Sequence, residues 1–115
     1  MTLRLEHITF DCTEPMRIAA FWAAALGRQV DDGASSFFAS IGKTASDGSV
    51  AMLFLAVPEP KSAKSRMHLD THGDDRETEV VRLVSLGATR IAEKDEWGIR
   101  WTVMNDPEGN EFCIA

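Results

Sequence analysis

The side chains best suited to chemistry in this chain are two histidines and a glutamate, each set in a short alternation of apolar and polar residues. His7 and His68 lie in the first and second half, and Glu111 lies near the last residue. In a strand, Glu111 and Cys113 would share one face and Phe112 the other. An imidazole that meets a carboxylate in a cleft satisfies it by hydrogen bonding. The three side chains form a shared site only if the fold brings them into the same cleft.

Composition narrows the classes of function. The chain has 115 residues, 44 % of them hydrophobic, and a net charge of −6, which together predict a single domain over residues 1–115 with its own core. The acidic balance argues against nucleic acid as a partner. Without a membrane-length apolar run or a leader, we expect a cytoplasmic protein that does not bind membranes. Cys12 and Cys113 fit no metal or disulfide spacing, so reduced thiols are expected.

Alternation and helical spacing predict five elements in the first half. Ile18, Trp22 and Leu26 recur on one helix face, with Thr13 as the expected N-cap and Gly27 as the C-cap. The predicted elements are a strand over residues 3–12, a helix over 15–26, and strands over 28–31, 37–41 and 50–57.

The same order returns after a proline- and lysine-containing linker. Asp74 and Glu77 resemble a capping box, and Leu86 with Gly87 ends the second helix as Leu26 with Gly27 ended the first. The predicted strands of this half cover residues 67–70, 88–93, 98–104 and 111–115. An α+β fold of two tandem βαβββ modules follows, over about 1–57 and 66–115 with the linker at 58–65. Together they should form an open, curved sheet with helices on its convex side and a cleft on the other.

This pattern resembles the vicinal oxygen chelate superfamily, which includes glyoxalase I, bleomycin-resistance proteins, fosfomycin-resistance enzymes and extradiol dioxygenases. The glyoxalase-like subgroup is the most similar. The resemblance covers essentially the whole chain. It is carried by His7, Ala20-Phe21-Trp22 to Leu26-Gly27, Arg66 to Asp70, Glu79-Val80 to Leu86-Gly87-Ala88, and Asp106-Pro107-Glu108-Gly109-Asn110-Glu111-Phe112.

The resemblance implies a metal site whose ligands come from the first and last strand of each module. Carried over by position, the ligands are His7, His68 and Glu111, and the metal is Fe, Mn, Zn or Ni, or none if the site is a relic. The strand that should supply a fourth ligand, residues 51–56, is apolar. Glyoxalase I chemistry is therefore not expected, because its second carboxylate is missing. Asp70 shares strand parity with His68 and is expected to be solvated or to support the ligands.

A small-molecule cleft lined by Phe37, Phe54, Trp97, Trp101, Arg66 and Cys113 is also predicted, because the aromatic residues lie in or beside strands that would line the cup. For at least half of these aromatic residues, core packing or a dimer interface is the alternative. One hypothesis is a divalent-metal-dependent lyase, isomerase or dioxygenase acting on vicinal oxygens. The alternative is a non-catalytic protein that binds a small molecule or cationic drug, as bleomycin-resistance proteins do. A structural dimerisation domain is the third, and a homodimer is expected in each case.

Overall fold

The computed structural model describes residues 2–115, which divide into two compact units, the first ending at Pro60 and the second running from Lys61 to Ala115. Two helices and seven strands in two mixed sheets confirm the α+β class. The predicted module and linker boundaries stay predictions. No helix in the described part of the chain has the length and apolar character to cross a membrane.

The first unit contains one helix and a three-stranded sheet. Its elements are β1 (His7–Cys12), α1 (Pro15–Leu26), β2 (Phe38–Ile41) and β3 (Ala51–Ala56). The sheet order is β1-β3-β2, with β1 parallel and β2 antiparallel to β3. Ile18 and Trp22 of α1 are buried, and Phe10 lies beside both Trp22 and Phe54, with ring centroids 6.0 and 5.3 Å away. Aromatic packing around the central strand therefore forms the core of this unit.

Three local predictions for this unit were wrong. The strand begins at His7 rather than at residue 3, because Leu3 and Leu5 are 100 % and 75 % exposed and pair with no strand in the described part of the chain. The strand expected over residues 28–31 is reduced to one bridge, between Val30 and Ile41. The helix is capped at Glu14 rather than Thr13, without a side-chain capping bond, while Pro15 supplies the first helical residue.

Asp31 explains why the short strand is not extended. Its carboxylate accepts hydrogen bonds from Ser40 Oγ at 2.7 Å and from the backbone N–H of Gly42 and Lys43. Burial by itself would raise the pKa of this carboxyl, but these hydrogen bonds outweigh it and the pKa is lowered. The carboxylate therefore fixes a turn at the position where the sequence predicts the end of a strand over residues 28–31.

The second unit has the complete βαβββ order. Its elements are β4 (Leu69–Thr71), α2 (Arg76–Ser85), β5 (Thr89–Glu96), β6 (Ile99–Asn105) and β7 (Glu111–Ile114). The sheet order is β4-β7-β6-β5, with β4 parallel to β7 and the other pairs antiparallel. The cap of α2 is Asp75, which accepts a hydrogen bond from the Thr78 backbone N–H at 3.1 Å, one residue after the predicted Asp74.

The turn before β7 is built around Asp106. This side chain is only 3 % exposed, and its carboxylate accepts hydrogen bonds from the backbone N–H of Glu108 and Asn110 and from Asn110 Nδ2. Gly109 has a φ of 87° in the same turn, a conformation that glycine adopts at little cost. The turn sets the point at which β7 begins, and so decides which of its side chains face the helix.

The two faces of the second sheet differ in chemistry. Phe112 and Ile114 of β7 are buried together with Met104 of β6, on the sheet that α2 contacts through Val80 and Leu83. The intervening residues of β6 and β7 point the other way because side chains alternate along a strand. That second face carries Trp101, Val103, Glu111 and Cys113, which all line one cleft.

Candidate small-molecule cleft

The cleft is a cavity of about 720 Å³ formed entirely by residues of the second unit. Its size is typical of sites that bind small molecules. Its larger apolar lining residues are Ile91, Trp97, Ile99, Trp101 and Val103, and its charged or reactive ones are Lys64, His68, Asp70, Lys94, Glu111 and Cys113. The cleft therefore combines a mainly apolar wall with a small group of polar side chains.

The wall contains two stacked indoles, Trp97 and Trp101, which we call the indole pair. Their ring centroids are 6.0 Å apart and their planes differ by 16°. Trp97 is 84 % exposed and has a φ of 54°, followed by Gly98 at 74°, in the two-residue turn between β5 and β6. Positive φ at both positions is typical of a type I′ turn, which favours Asn or Gly at its first central position. A tryptophan there is unfavourable for the backbone, and it presents a large exposed ring.

A second group of side chains, His68, Asp70 and Cys113, forms what we call the polar cluster. The parallel pairing of β4 and β7 places Asp70 opposite Cys113, and His68 precedes Asp70 by two residues. His68 Nε2 lies 3.3 Å from Asp70 Oδ1. One ligand-type atom from each residue lies within 4.8 Å of those from the other two. Nitrogen, oxygen and sulfur donors therefore converge at one point of the cleft.

The Cys113 thiol is held in its protonated form. Burial raises its pKa, and the charge of Asp70 and a hydrogen bond with Asp70 raise it further, while the charge of Lys64 has the opposite effect. Cys113 is free of any disulfide. As a nucleophile it is therefore not activated in this arrangement.

Glu111 has partners of its own. Its Oε1 accepts a hydrogen bond from Lys61 Nζ at 2.8 Å and its Oε2 accepts one from the Ser65 backbone N–H at 3.0 Å. Burial alone would raise the pKa of this carboxyl, but the bonds from Lys61 and Ser65 outweigh it and lower the pKa from 4.5 to about 2. The glutamate thus holds the segment before β4 against the last strand.

The structure places the predicted site residues in two groups. His68, Trp97, Trp101, Glu111 and Cys113 all line the cleft of the second unit. Arg66 is exposed and is not among the residues that line it.

The other predicted site residues belong to the first unit. His7 is half-buried opposite Ala51, Phe37 is 78 % exposed before β2, and Phe54 is fully buried in the aromatic core. Convergence of His7 with His68 and Glu111 stays a prediction.

Sequence reasoning did not predict the partners of two residues that matter in this geometry. Asp70, predicted to be solvated or to support the ligands, has a side chain that is 77 % exposed, and it also lies 3.3 Å from His68 and opposite Cys113. Lys61 was assigned to the linker, but it forms an ion pair with Glu111 across 50 residues. Alternation alone puts Asp70 on the same strand face as His68, but the pairing with Cys113 depends on the register between strands, and no sequence signal indicates the ion pair of Lys61.

Comparison with known proteins places the chain in a family. The family model for the glyoxalase-like domain matches residues 7–115. A search of curated protein sequences gives no match.

Solved structures with the same fold are distant in sequence. One is a glyoxalase/bleomycin resistance protein/dioxygenase family enzyme from Burkholderia phytofirmans PsJN, at 22 % identity, with 97 % of both chains covered and a TM-score of 0.77. Another is a mutant of the fosfomycin resistance protein FosX from Listeria monocytogenes, complexed with Mn(II) and 1S,2S-dihydroxypropylphosphonic acid. It shows 14 % identity, covers 99 % of this chain and 90 % of that one, and has a TM-score of 0.78. TioX from Micromonospora sp. ML1 has 17 % identity, 95 % and 96 % coverage and a TM-score of 0.58. With the family match spanning nearly all residues, the chain belongs to the glyoxalase-like domain family of the vicinal oxygen chelate superfamily.

Proposed function

We propose that the protein binds a small, flat, largely apolar molecule in the cleft of its second unit. The observation that carries the proposal is the indole pair, exposed on the wall of a cavity of about 720 Å³. Flat aromatic molecules stack on indole faces, and such contacts add to the free energy of burying apolar surface. The Burkholderia phytofirmans structure that shares the fold belongs to a family whose name includes bleomycin resistance proteins, and binding without catalysis is what a resemblance to that class implies.

The distribution of exposed apolar side chains supports this reading. Trp97, Ile91 and Ile99 are 84 %, 52 % and 53 % exposed, and all three line the same cleft. Contiguous exposed apolar surface of this kind marks an interaction site in soluble domains. A ligand that covered these three side chains would remove their surface from water.

The backbone at Trp97 supports it as well. A non-glycine residue at φ 54° costs on the order of 1 kcal/mol, and bulky residues are rare there. Asn in the same turn would lower that cost. A tryptophan retained at a costly position is consistent with a role in binding rather than in stability.

The charges of the lining favour an acidic or oxygen-bearing group on the ligand. Lys64 and Lys94 are both lining residues, Asp70 offsets one of these two charges, and the negative charge of Glu111 is balanced by Lys61. The excess negative charge of the whole chain is therefore not concentrated in this cleft. A cationic drug, which the net charge alone suggested, is less well matched than a neutral or anionic aromatic molecule.

The test uses Trp97→Asn and anilinonaphthalene sulfonate, an anionic dye with a flat naphthalene ring whose fluorescence rises in apolar sites. We expect Trp97→Asn to weaken dye binding at least about tenfold, because one indole of the pair is lost. We expect the same variant to keep its unfolding temperature, because the better fit of Asn in the turn offsets the lost contact between the indoles. Lower affinity at unchanged stability would exclude misfolding as the cause.

The matched control is Phe37→Ala, which removes an aromatic ring that is 78 % exposed in the first unit. This variant should bind the dye as the unmodified protein does. Dye affinity that falls in Phe37→Ala and not in Trp97→Asn would overturn the proposal. So would a Trp97→Asn protein that changes from dimer to monomer in sedimentation with dye affinity unchanged, because the indole pair would then be a subunit interface.

A second candidate is a divalent-metal-dependent enzyme acting on vicinal oxygens, with His7, His68 and Glu111 as ligands. The Mn(II) in the FosX complex and the place of His68 and Glu111 in one cleft support it. Both Glu111 oxygens, however, are bound by Lys61 and Ser65, and a metal ion would have to displace a lysine ammonium. The carboxylate in this arrangement does not fit a metal ligand, so we derive no catalytic step from it. Metal content after chelator-free purification tests this candidate, since Glu111→Gln should lower it only if Glu111 is a ligand.

A further inference from the structure

The backbone of strands β4 and β7 fixes where the side chains of the polar cluster begin. Asp70 and Cys113 are register partners on neighbouring strands, so their positions are fixed by the backbone ladder between β4 and β7. Thr71 Oγ1 also donates a hydrogen bond to the Cys113 carbonyl at 2.9 Å, which ties the two strands together beside the cluster. The imidazole of His68 approaches from the same side, 3.3 Å from Asp70 Oδ1.

The spacing of the donor atoms matches a single small cation. Ligand atoms that bind one Zn²⁺ at about 2.0–2.3 Å in tetrahedral geometry lie roughly 3.5 Å from one another. In the polar cluster all three donors lie within 4.8 Å of one another, and one pair is already at 3.3 Å. His68 and Asp70 are both exposed, so their side chains have room to rotate toward a shared ion.

We infer that His68, Asp70 and Cys113 form a site for a borderline-soft divalent cation of the Zn²⁺ type, with its fourth position open to the cleft. One imidazole nitrogen, one carboxylate oxygen and one sulfur suit Zn²⁺ better than Mg²⁺ or Ca²⁺, which take oxygen ligands. On binding, the Cys113 thiol loses its proton to solvent and the sulfur binds the ion as thiolate. The two negative ligands then balance the charge of the ion.

This ligand set differs from the one that the superfamily resemblance implies. It shares His68, but it takes Asp70 from within β4 and Cys113 from β7 in place of Glu111. Glu111 remains bound to Lys61 and Ser65 in this arrangement, so the ion pair is not broken. Lys64 lines the same cleft, and its charge opposes cation binding, so we expect moderate rather than very tight affinity. The inference does not depend on the organic ligand proposed above.

The experiment is a titration of reduced, metal-free protein with Co²⁺, which reports a sulfur ligand by thiolate-to-metal absorption in the near ultraviolet and tetrahedral geometry by visible bands. We expect one Co²⁺ per chain, a thiolate band, and displacement by Zn²⁺. Cys113→Ser should abolish the band, and Asp70→Asn should weaken binding at least about tenfold. Cys12→Ser is the control for the other thiol and should leave the band unchanged, because Cys12 is buried in the first unit.

Glu111→Gln separates this site from the superfamily arrangement. We expect this variant to keep the thiolate band and its Co²⁺ affinity. Loss of cobalt binding in Glu111→Gln would overturn the inference, whatever Cys113→Ser shows. Absence of cobalt binding by the unmodified protein would overturn it as well. If Cys113→Ser fails to fold, the unmodified protein supplies a second measurement. Zn²⁺ should slow alkylation of Cys113 by iodoacetamide at least about tenfold, and an unchanged rate would contradict the site.

Discussion

The two units of the molecule share a strand arrangement but not a chemistry. In each unit the first strand pairs in parallel with the last, β1 with β3 and β4 with β7. Asp70 lies opposite Cys113 in the second unit, whereas Asp11 lies opposite Leu55 in the first. Two carboxylates on opening strands therefore face different partners, one a thiol and the other an aliphatic side chain.

The difference comes from the closing strands. Strand β3 (Ala51–Ala56) is wholly apolar, so it can stabilise a core but can bind neither a metal nor a polar ligand. Strand β7 (Glu111–Ile114) alternates, with two buried apolar residues on one face and Glu111 and Cys113 on the other. In the parallel pair of first and last strands, the last strand thus carries polar side chains in the second unit and only apolar ones in the first.

The largest effects should come from the buried aromatic ring of each closing strand. Phe54→Ala and Phe112→Ala each remove a fully buried ring, so each should lower the free energy of unfolding by about 3–5 kcal/mol. Urea unfolding measures both. Phe37→Ala, at an exposed position, should change stability by less than about 0.5 kcal/mol. If only one of the two core variants is severely destabilised, the closing strands are not equivalent in packing.

The turns that precede the closing strands should differ next. Asp106→Ala removes a buried acceptor of several hydrogen bonds and should cost about 2–3 kcal/mol. Asp47→Ala removes an exposed carboxylate that accepts hydrogen bonds from the backbone N–H and the Oγ of Ser49, and should cost about 1 kcal/mol or less. Equal losses in thermal or urea unfolding would contradict the greater structural role given to the turn before β7.

Acid stability should depend on Glu111. Its pKa is lowered to about 2 from 4.5, so its contribution is complete above pH 4.5 and is lost as pH falls toward 2. Because solvent screens part of the ion pair, we expect about 1–2 kcal/mol of stability from this source. Unfolding followed from pH 5 to pH 2 should show a shallower loss in Glu111→Gln, relative to the unmodified protein. Identical slopes would show that the carboxylate does not hold Lys61 and Ser65 in solution.

The smallest contrast concerns the two helix N-termini. Asp75→Ala removes a side-chain cap from α2 and should cost about 1 kcal/mol. Glu14→Ala at the start of α1, where no side-chain capping bond is formed, should change stability by no more than about 0.5 kcal/mol. A larger loss at Glu14 than at Asp75 in the same unfolding assay would reverse the comparison.

Local chemistry made most of the fold predictable. The spacing of Ile18 and Trp22 and the glycine at 27 placed α1 at Pro15–Leu26, as observed. Where prediction failed, tertiary context decided, because alternation around Leu3 and Leu5 describes a strand that no neighbour pairs with. The bridge at Val30 likewise stops where Asp31 bonds to the turn after β2, a contact between residues distant in sequence.

The candidate site was only partly predictable. Strand parity correctly placed Glu111 and Cys113 on one face of β7, and both line the cleft. The alternation of side chains along one strand does not determine the register between two strands. The pairing of Asp70 with Cys113 therefore could not be deduced from the sequence. Nor could the partner of Glu111, because Lys61 reaches it from a segment without regular secondary structure.

The parallel pairing of first and last strands affects how the second unit folds while the chain is being synthesised. Leu69 pairs with Phe112, so β4 leaves the ribosome 112 − 69 = 43 residues before β7, its one neighbour among the described strands. At typical rates of translation that interval is roughly 2–9 s. During it the strand presents unsatisfied backbone groups to other nascent chains, and its brevity, at three residues, limits the risk of aggregation.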